Sequence, residues 1–247
     1  MLQKKLKPLF IKMAAASIVL LAACTKPADL PNTLTDEEKA DGWQLLFNGK
    51  DMQNWHIFNQ GNQKTAWSVK DGALWADPLK VNDKHGDLVS DKIYENFDLK
   101  FEWKIAKGGN SGVFVDVQED PKYDATFVTA PELQLLDDAN AEERHKKDST
   151  HWAGAMYNVI ARSKDAKPNP FGQWNTSRIV QQGGKITYWL NGVESAKADL
   201  KDAGWPKLIA GTPMKAYRDF GKFTKGHLAI QDHNNEVFLR SIKIKQL

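Results

Sequence analysis

The chain has 247 residues, enough for one large domain or two small ones around a sizeable core. Apolar residues make up 41% and charged residues 26%, with 9 Trp and 11 Phe, which excludes both a disordered chain and a small disulfide scaffold. The formal charge of +3 owes everything to the start: taking Lys4, Lys5, Lys7 and Lys12 from the 34 basic residues leaves 30 against 31 acidic ones, which excludes nucleic-acid binding by bulk charge.

Residues 1–23 read as a secretory signal peptide, with lysines first and the apolar run Met13 to Ala23 after them. That run is too short to cross roughly 30 Å of hydrocarbon as a helix. Leu21-Ala22-Ala23-Cys24 resembles the bacterial lipoprotein box, which makes Cys24 a candidate for lipidation; the alternative is a chance cysteine behind a plain signal peptide. Two or more acyl chains would anchor the protein stably in the cell envelope. Thr25 after the cysteine favours the outer membrane, facing the periplasm or the cell surface. Residues 24–36, with two prolines, read as a flexible tether, and 37–247 as a single domain. Cys24 is the one cysteine, so neither an intrachain disulfide nor a cysteine-based zinc cluster is available.

Beyond Trp43 the pattern has period two. Phe97, Leu99, Phe101, Trp103 and Ile105 alternate with Asp98, Lys100, Glu102 and Lys104, which predicts a long antiparallel strand. The same template predicts strands at 43–47, 67–69, 73–76, 112–118, 132–136, 155–161, 176–182, 185–190, 227–232 and 236–245. Turn pairs separate them: Asn48-Gly49, Asp71-Gly72, Gly183-Gly184, Asn191-Gly192 and Asn234-Asn235. Ala139 to Lys147 is the one stretch that suits a helical turn or two. About ten strands without a repeat period predict an all-β fold, a two-sheet antiparallel jelly-roll sandwich.

In such a sandwich one parity of a strand packs the core and the other faces outward. Leu133 and Leu135 belong inside, which places Glu132 and Gln134 together on the opposite face. Leu228 and Ile230 belong inside, which places Gln231 and His233 outside. These are either ordinary solvated positions or a polar trough. Asn110-Ser111 is either a turn or a pair of sugar-binding groups. Arg240 shares the parity of Phe238, Ile242 and Ile244, so it is either a buried ion-pair member or an anion holder in a cleft. His151 and Tyr157 flank Gly154-Ala155, as loop and core residues or as site residues. Trp174, like Trp152 and Trp189, is either core or a stacking platform for sugars. No phosphate-binding loop, zinc-protease helix or nucleophile elbow is present.

Nine segments in order resemble the 3-keto-disaccharide hydrolase domain family. They are Trp43 to Lys50 with Trp55; Trp67-Ser68-Val69 with Asp71-Gly72; Asn96 to Leu99 with Glu102-Trp103; Gly109 to Val113; Pro131 to Asp137; Gly154 to Tyr157; Trp174-Asn175; Leu190-Asn191-Gly192; and Ile230 to His233. The resemblance implies a concanavalin-like jelly roll of the lectin and glucanase type. It also implies a concave-face site and glycoside substrates already oxidised at carbon 3 by a partner oxidoreductase. A ketone there acidifies the hydrogen on carbon 2, so a base forms an enolate that expels the group on carbon 1; water then adds back or does not. For this chemistry Glu132 or His233 is the candidate base. Arg240, Gln134 or a divalent cation would stabilise the enolate, and Tyr157 or His151 would be the acid. Asn110, Ser111, Gln231, Asp232 and Trp174 are candidates for binding the sugar. No ligand spacing diagnostic of a metal is present. Two rivals remain: a non-catalytic carbohydrate-binding domain, and a retaining glycosidase in which Glu132, Gln134 and Asp137 replace a Glu-x-Asp-x-x-Glu strand.

Overall fold

A computed structural model describes residues 30–247 except Asn62 and Val81. The signal peptide and Cys24 lie outside the described residues. The strands in chain order are β1 (Gln44–Leu45), β2 (Trp55–Ile57), β3 (Trp67–Lys70), β4 (Ala73–Ala76), β5 (Leu88–Tyr94), β6 (Phe97–Ile105) and β7 (Asn110–Val117). They continue with β8 (Glu132–Leu136), β9 (Asn175–Gln182), β10 (Lys185–Leu190), β11 (Val193–Asp199), β12 (Gly226–Ile230) and β13 (Val237–Gln246). Of the short α-helices among the described residues, α1 (Asp36–Ala40) precedes β1, while α2 (Glu143–Lys146) and α3 (Trp205–Ala210) sit between strands. All strand pairings are antiparallel and form two sheets. The larger runs β11-β10-β9-β6-β13-β4-β3 with β1 also on β13, and the smaller runs β2-β5-β12-β7-β8. This is the two-sheet jelly-roll sandwich that the alternation predicts.

The core is built by parity. Leu99, Phe101 and Trp103 of β6, Tyr188 of β10 and Leu239 of β13 meet Val113, Leu133, Leu135, Leu228 and Ile230 of the small sheet in one apolar cluster. Trp103 is fully buried and its indole N–H donates to Ser177 Oγ at 3.0 Å, so its one polar atom is satisfied. A second, smaller cluster lies on the outer face of the small sheet, where Phe58, Val89, Phe114 and Ala229 pack against Phe127 and Val128. That face is therefore half roofed rather than solvated, and the roof leaves room for a pocket.

Three expectations change. The strand predicted at 155–161 is a turn: Asn158 has φ +60°, and the amides of Val159 and Ile160 both donate to Met156 O. Its opening residues instead run along the edge strand β8, with Gly154 N donating to Gln134 O, Gln134 N to Ala155 O, and Tyr157 N to Glu132 O. That cover satisfies an edge otherwise open to aggregation. Secondly, the end of the predicted tether is docked. Asn32 receives Ser241 N on its Oδ1 and donates to Gly72 O, while Glu38 of α1, in a capping box with Thr35, pairs with Lys243 at 2.7 Å. Thirdly, β2, β5 and β11 are not legible in the sequence, because short strands, and strands such as Leu88–Tyr94 that are buried at both ends and exposed in the middle, lack sustained alternation.

Two bulges break the parity. Ser241 has φ +52° and the β13–β6 register shifts between Arg240 and Lys243. Leu239, Ile242 and Ile244 face the core, whereas Phe238 and Arg240 turn outward. In β7, Asp116 has φ +63° and sits opposite the shifted stretch of β12, where a side chain on Gly226 would come within 2.4 Å of the Asp116 carbonyl carbon. Asp116 is buried; Gln181 donates to its Oδ1 at 2.7 Å, and Oδ2 has no partner.

Burial pushes the Asp116 carboxyl up to about 7 from 3.8, so the folded chain holds this proton more tightly than the unfolded one. The stability it carries is complete below 3.8 and is lost as pH rises through about 7. Asn tolerates left-handed backbone and carries no charge, so Asp116→Asn should melt above the parent at pH 8, by the equivalent of a few kcal/mol, with the gap shrinking at pH 5. Equal gaps at both pH values in thermal melts contradict this.

Candidate active site

The chemistry gathers on the roofed outer face of the small sheet. A pocket of about 290 Å³ is lined by Asn110 and Gln134 from β7 and β8, Glu132, Tyr157 and Asn158, Gln231 and His233 beyond β12, and Arg144 of α2. Phe127, Met214 and Tyr217 complete it, with Phe127 and Tyr217 meeting edge-to-face at 5.3 Å between ring centres. The volume sits at the small end of the roughly 300–1,000 Å³ usual for ligand sites.

Glu132 is placed by three features. Alternation in β8 throws it away from Leu133, its register partner across the ladder is Phe114, and the diagonal neighbour is Gly112. A Cβ on Gly112 would lie 1.8 Å from Glu132 Oε1, so the side chain occupies space that only a glycine leaves open. Glu132 is 5% exposed and Oε1 has no hydrogen-bond partner. Burial, with the Asp87 carboxyl adding repulsion, pushes its proton affinity well above the ordinary 4.5. Asp87 itself, held by the Thr126 hydroxyl and by Asp232 N at 3.0 Å, is raised by burial to about 6.

Tyr157 reaches the pocket because its amide is bonded to Glu132 O at 3.1 Å. Burial and the nearby Glu132 raise its phenol, and Arg144 opposes them, so the hydroxyl stays protonated at neutral pH. Gln134 Nε2 donates to Asn110 Oδ1 at 2.6 Å, which fixes both amides. Gln231 Oε1 is buried without a partner. Behind the wall, His151 stacks on Tyr157 with ring centres 4.7 Å apart and bonds Asn158 Oδ1 at 2.8 Å. His145 packs edge-on against His151 at 5.1 Å with neither ring nitrogen partnered. Desolvation, then Arg144 and His151, push His145 down to about 4, so it is a neutral ring near pH 7.

Glu132, His233, Tyr157, Asn110, Gln134 and Gln231 are thus brought to one pocket. Other candidates lie elsewhere. Arg240 and Trp174 belong to the outer face of the other sheet, because the Ser241 bulge turns Arg240 outward; its guanidinium bonds Glu102 at 2.5 Å and lies over Trp174 at 3.9 Å. Ser111 has the core parity and ties β7 to Gln231 O at 2.8 Å. The Asp232 carboxylate is spent on His85 at 2.8 Å and on Asn234 N. His151 supports Tyr157 rather than lining the pocket. Sequence alternation missed Asp87, Arg144, Phe127, Met214 and Tyr217. All but Asp87 come from short helical turns, and Asp87 precedes a strand whose pattern was unreadable. Among the described residues no group of three His, Cys, Asp or Glu side chains is arranged to hold a metal ion.

A larger depression of about 430 Å³ marks the outer face of the big sheet, beside Trp189, Arg178 and Lys243. Most of its charges are already paired, Arg178 with Asp98, Lys243 with Glu38 and Glu102 with Arg240, while Lys100 lies over Trp43 at 4.1 Å and Arg178 covers Trp189 at 5.0 Å. The smaller pocket holds two buried acceptors without a partner, Glu132 Oε1 and Gln231 Oε1, and such acceptors are costly unless a ligand fills them. A sandwich that holds such an acid among amides and aromatic rings offers a site for a small polar ring.

Comparison with known proteins agrees. Residues 42–245 match the model of the 3-keto-alpha-glucoside-1,2-lyase-like domain, and the chain belongs to that family. It is 28% identical over 232 residues to the 3-keto-disaccharide hydrolase of Bacteroides thetaiotaomicron, covering 84% of this chain and 79% of that one. Two crystal structures from Parabacteroides distasonis, both provisionally described as glycosyl hydrolases, are similar. One has a TM-score of 0.81 and 38% identity over 88% of this chain and all of that one. The other has a TM-score of 0.62 and 27% identity over 83% and 99%.

Gly112→Ala should cost roughly 1–3 kcal/mol, the usual penalty of overpacking, and abolish activity. In a Glu132→Ala background the same change should cost much less. A double-mutant cycle by denaturant unfolding reads this coupling, and purely additive costs contradict the placement of Glu132 over Gly112.

Proposed function

We propose that the protein cleaves glycosides already oxidised to the ketone at carbon 3, by removal of the carbon 2 proton and elimination of the carbon 1 substituent. The observation that carries the reading is the Glu132 carboxyl, enclosed and partnerless in a pocket of one-ring size. Glu132 is the base. A raised proton affinity makes its carboxylate a stronger acceptor for a carbon acid than an exposed one. Arg144 replaces Arg240 as the cation for the developing enolate oxygen, since it is the one arginine that lines the pocket. Tyr157, kept protonated, donates to the departing oxygen. His233 at the rim is the second acid–base group and serves the addition of water, which turns elimination into net hydrolysis. Asn110, Gln134 and Gln231 bind sugar hydroxyls, and Phe127 and Tyr217 face the ring.

Glu132 takes the carbon 2 proton as the C2–H pair becomes the enolate, the enolate collapses as the C1–O bond breaks, and the leaving oxygen takes the Tyr157 proton. The retaining-glycosidase reading lacks its second carboxylate. Glu132 is the one acid lining the pocket, and Asp137 is occupied by Gly108 N and Asn140 Nδ2, both at 2.8 Å. An upstream oxidoreductase acting at carbon 3 must supply the substrate. We also propose that Cys24 is lipidated and holds the enzyme in the cell envelope, where glycans arrive from outside.

In deuterated water a 3-keto-glucoside should exchange its carbon 2 hydrogen with the parent enzyme and lose exchange and cleavage together, by at least about a hundredfold, in Glu132→Gln. Unchanged exchange and cleavage in both Glu132→Gln and His233→Ala contradict the assignment; a chelator arm in the same assay reads any need for a divalent cation. Because the base must be ionised to act, kcat/KM should climb with pH through a limb well above 4.5. A plateau already reached at pH 5 contradicts the role of Glu132.

A further inference from the structure

Tyr217 lines two cavities. One is the pocket of Glu132; the other is a neighbouring groove of about 250 Å³ in which no Asp or Glu takes part. The floor of the groove is apolar, with Trp205 and Ile209 of α3 and Phe220 all buried, and its rim carries Lys215, Arg218 and Lys222. The nearest acid, Asp219, receives the Tyr123 hydroxyl at 3.0 Å and faces Lys222 at 3.5 Å; these contacts, with Arg218, hold it below the ordinary carboxylate value. Lys215 and Arg218 make no salt bridge among the described residues.

The groove is preformed. The Trp205 indole donates to Gly221 O at 3.0 Å, and Gly221 N donates to Thr129 O at 2.9 Å. Gly221 has φ +62°, and a Cβ there would lie 2.7 Å from the Trp205 ring, so the indole rests on a position left bare. Thr212 caps the turn that carries Met214 and Lys215, and Phe127 braces Tyr217 from the other side.

We infer that this groove receives the leaving group of the substrate whose sugar occupies the Glu132 pocket, and that the preferred leaving group is an aryl carboxylate. The inference rests on the reading of that pocket as a 3-keto-glycoside site. An aromatic ring suits the apolar floor, and an anion beyond it meets the rim cations, of which Lys215 and Arg218 make no salt bridge among the described residues. Tyr217, common to both cavities, stands where the glycosidic oxygen joins the two parts.

The test compares two carbon-linked analogues that cannot be cleaved, 4-carboxyphenyl and 4-carbamoylphenyl C-glucosides oxidised at carbon 3. Calorimetry with the parent protein should give about tenfold tighter binding of the carboxylate in low salt. The ratio should fall to near one in the double variant Lys215→Glu/Arg218→Glu, to an intermediate value in Lys215→Gln, and toward one in 0.5 M salt. Melting temperatures of the variants check folding. Equal affinity for the two analogues, a preference that survives in the double variant, or binding of neither overturns the inference. Turnover of the corresponding O-glycosides separates the two layers: cleavage without a charge preference overturns the groove and keeps the pocket reading, whereas absence of any cleavage removes the pocket reading itself.

Discussion

Enclosing the Glu132 carboxyl without a partner works against folding, and the surroundings are organised around tolerating it. Gly112 leaves the space, the backbone of 154–157 seals the edge of β8, and Asp87 presses from beside it instead of neutralising it. A positively charged partner there would hold the carboxyl ionised and remove its basicity. The pocket's arginine, Arg144, is instead paired with Glu142 at 2.7 Å, which leaves a ligand to supply the missing contacts. Stability given up at a site in this way is what activity in a preorganised pocket commonly requires.

The two faces of the sandwich divide the work. On the large sheet Arg178, Lys243 and Arg240 are each paired with a carboxylate, and Trp174 and Trp189 lie under arginines, on a face that also docks α1 and Asn32. On the small sheet a second apolar cluster and three turns roof the strands, and polar groups are left unpartnered where the roof opens. The same alternation that builds one common core thus yields two different exteriors. What differs is the chain laid over each.

Strand alternation made the sandwich legible, and it placed Glu132 and Gln134 of the regular strand β8 on the face where they are found, with Gln231 and His233 just beyond the end of β12 lining the same pocket. It failed for Arg240 because one residue, Ser241, adopts a left-handed conformation and reverses the parity of everything before it; no pattern of apolar residues announces such a bulge. Met214, Tyr217, Phe127 and Arg144 were invisible for a different reason. They come from single helical turns too short to show a period, and only tertiary packing brings them over the sheet. Ser111 and Asp232, expected to bind the sugar, do not line the pocket: a hydrogen bond from Ser111 to Gln231 O and the pairing of Asp232 with His85 make them braces.

The most direct measurement is the titration of the Glu132 side chain by NMR with carbon-13 carboxyl labelling of glutamate, the Glu132→Gln variant supplying the assignment. The account predicts one resonance, absent from that variant, whose midpoint lies well above 4.5 and moves when Asp87 is replaced by Asn. If the resonance that disappears in the variant titrates in the ordinary carboxylate range, Glu132 is not the enclosed, proton-retaining group on which this description of the site depends.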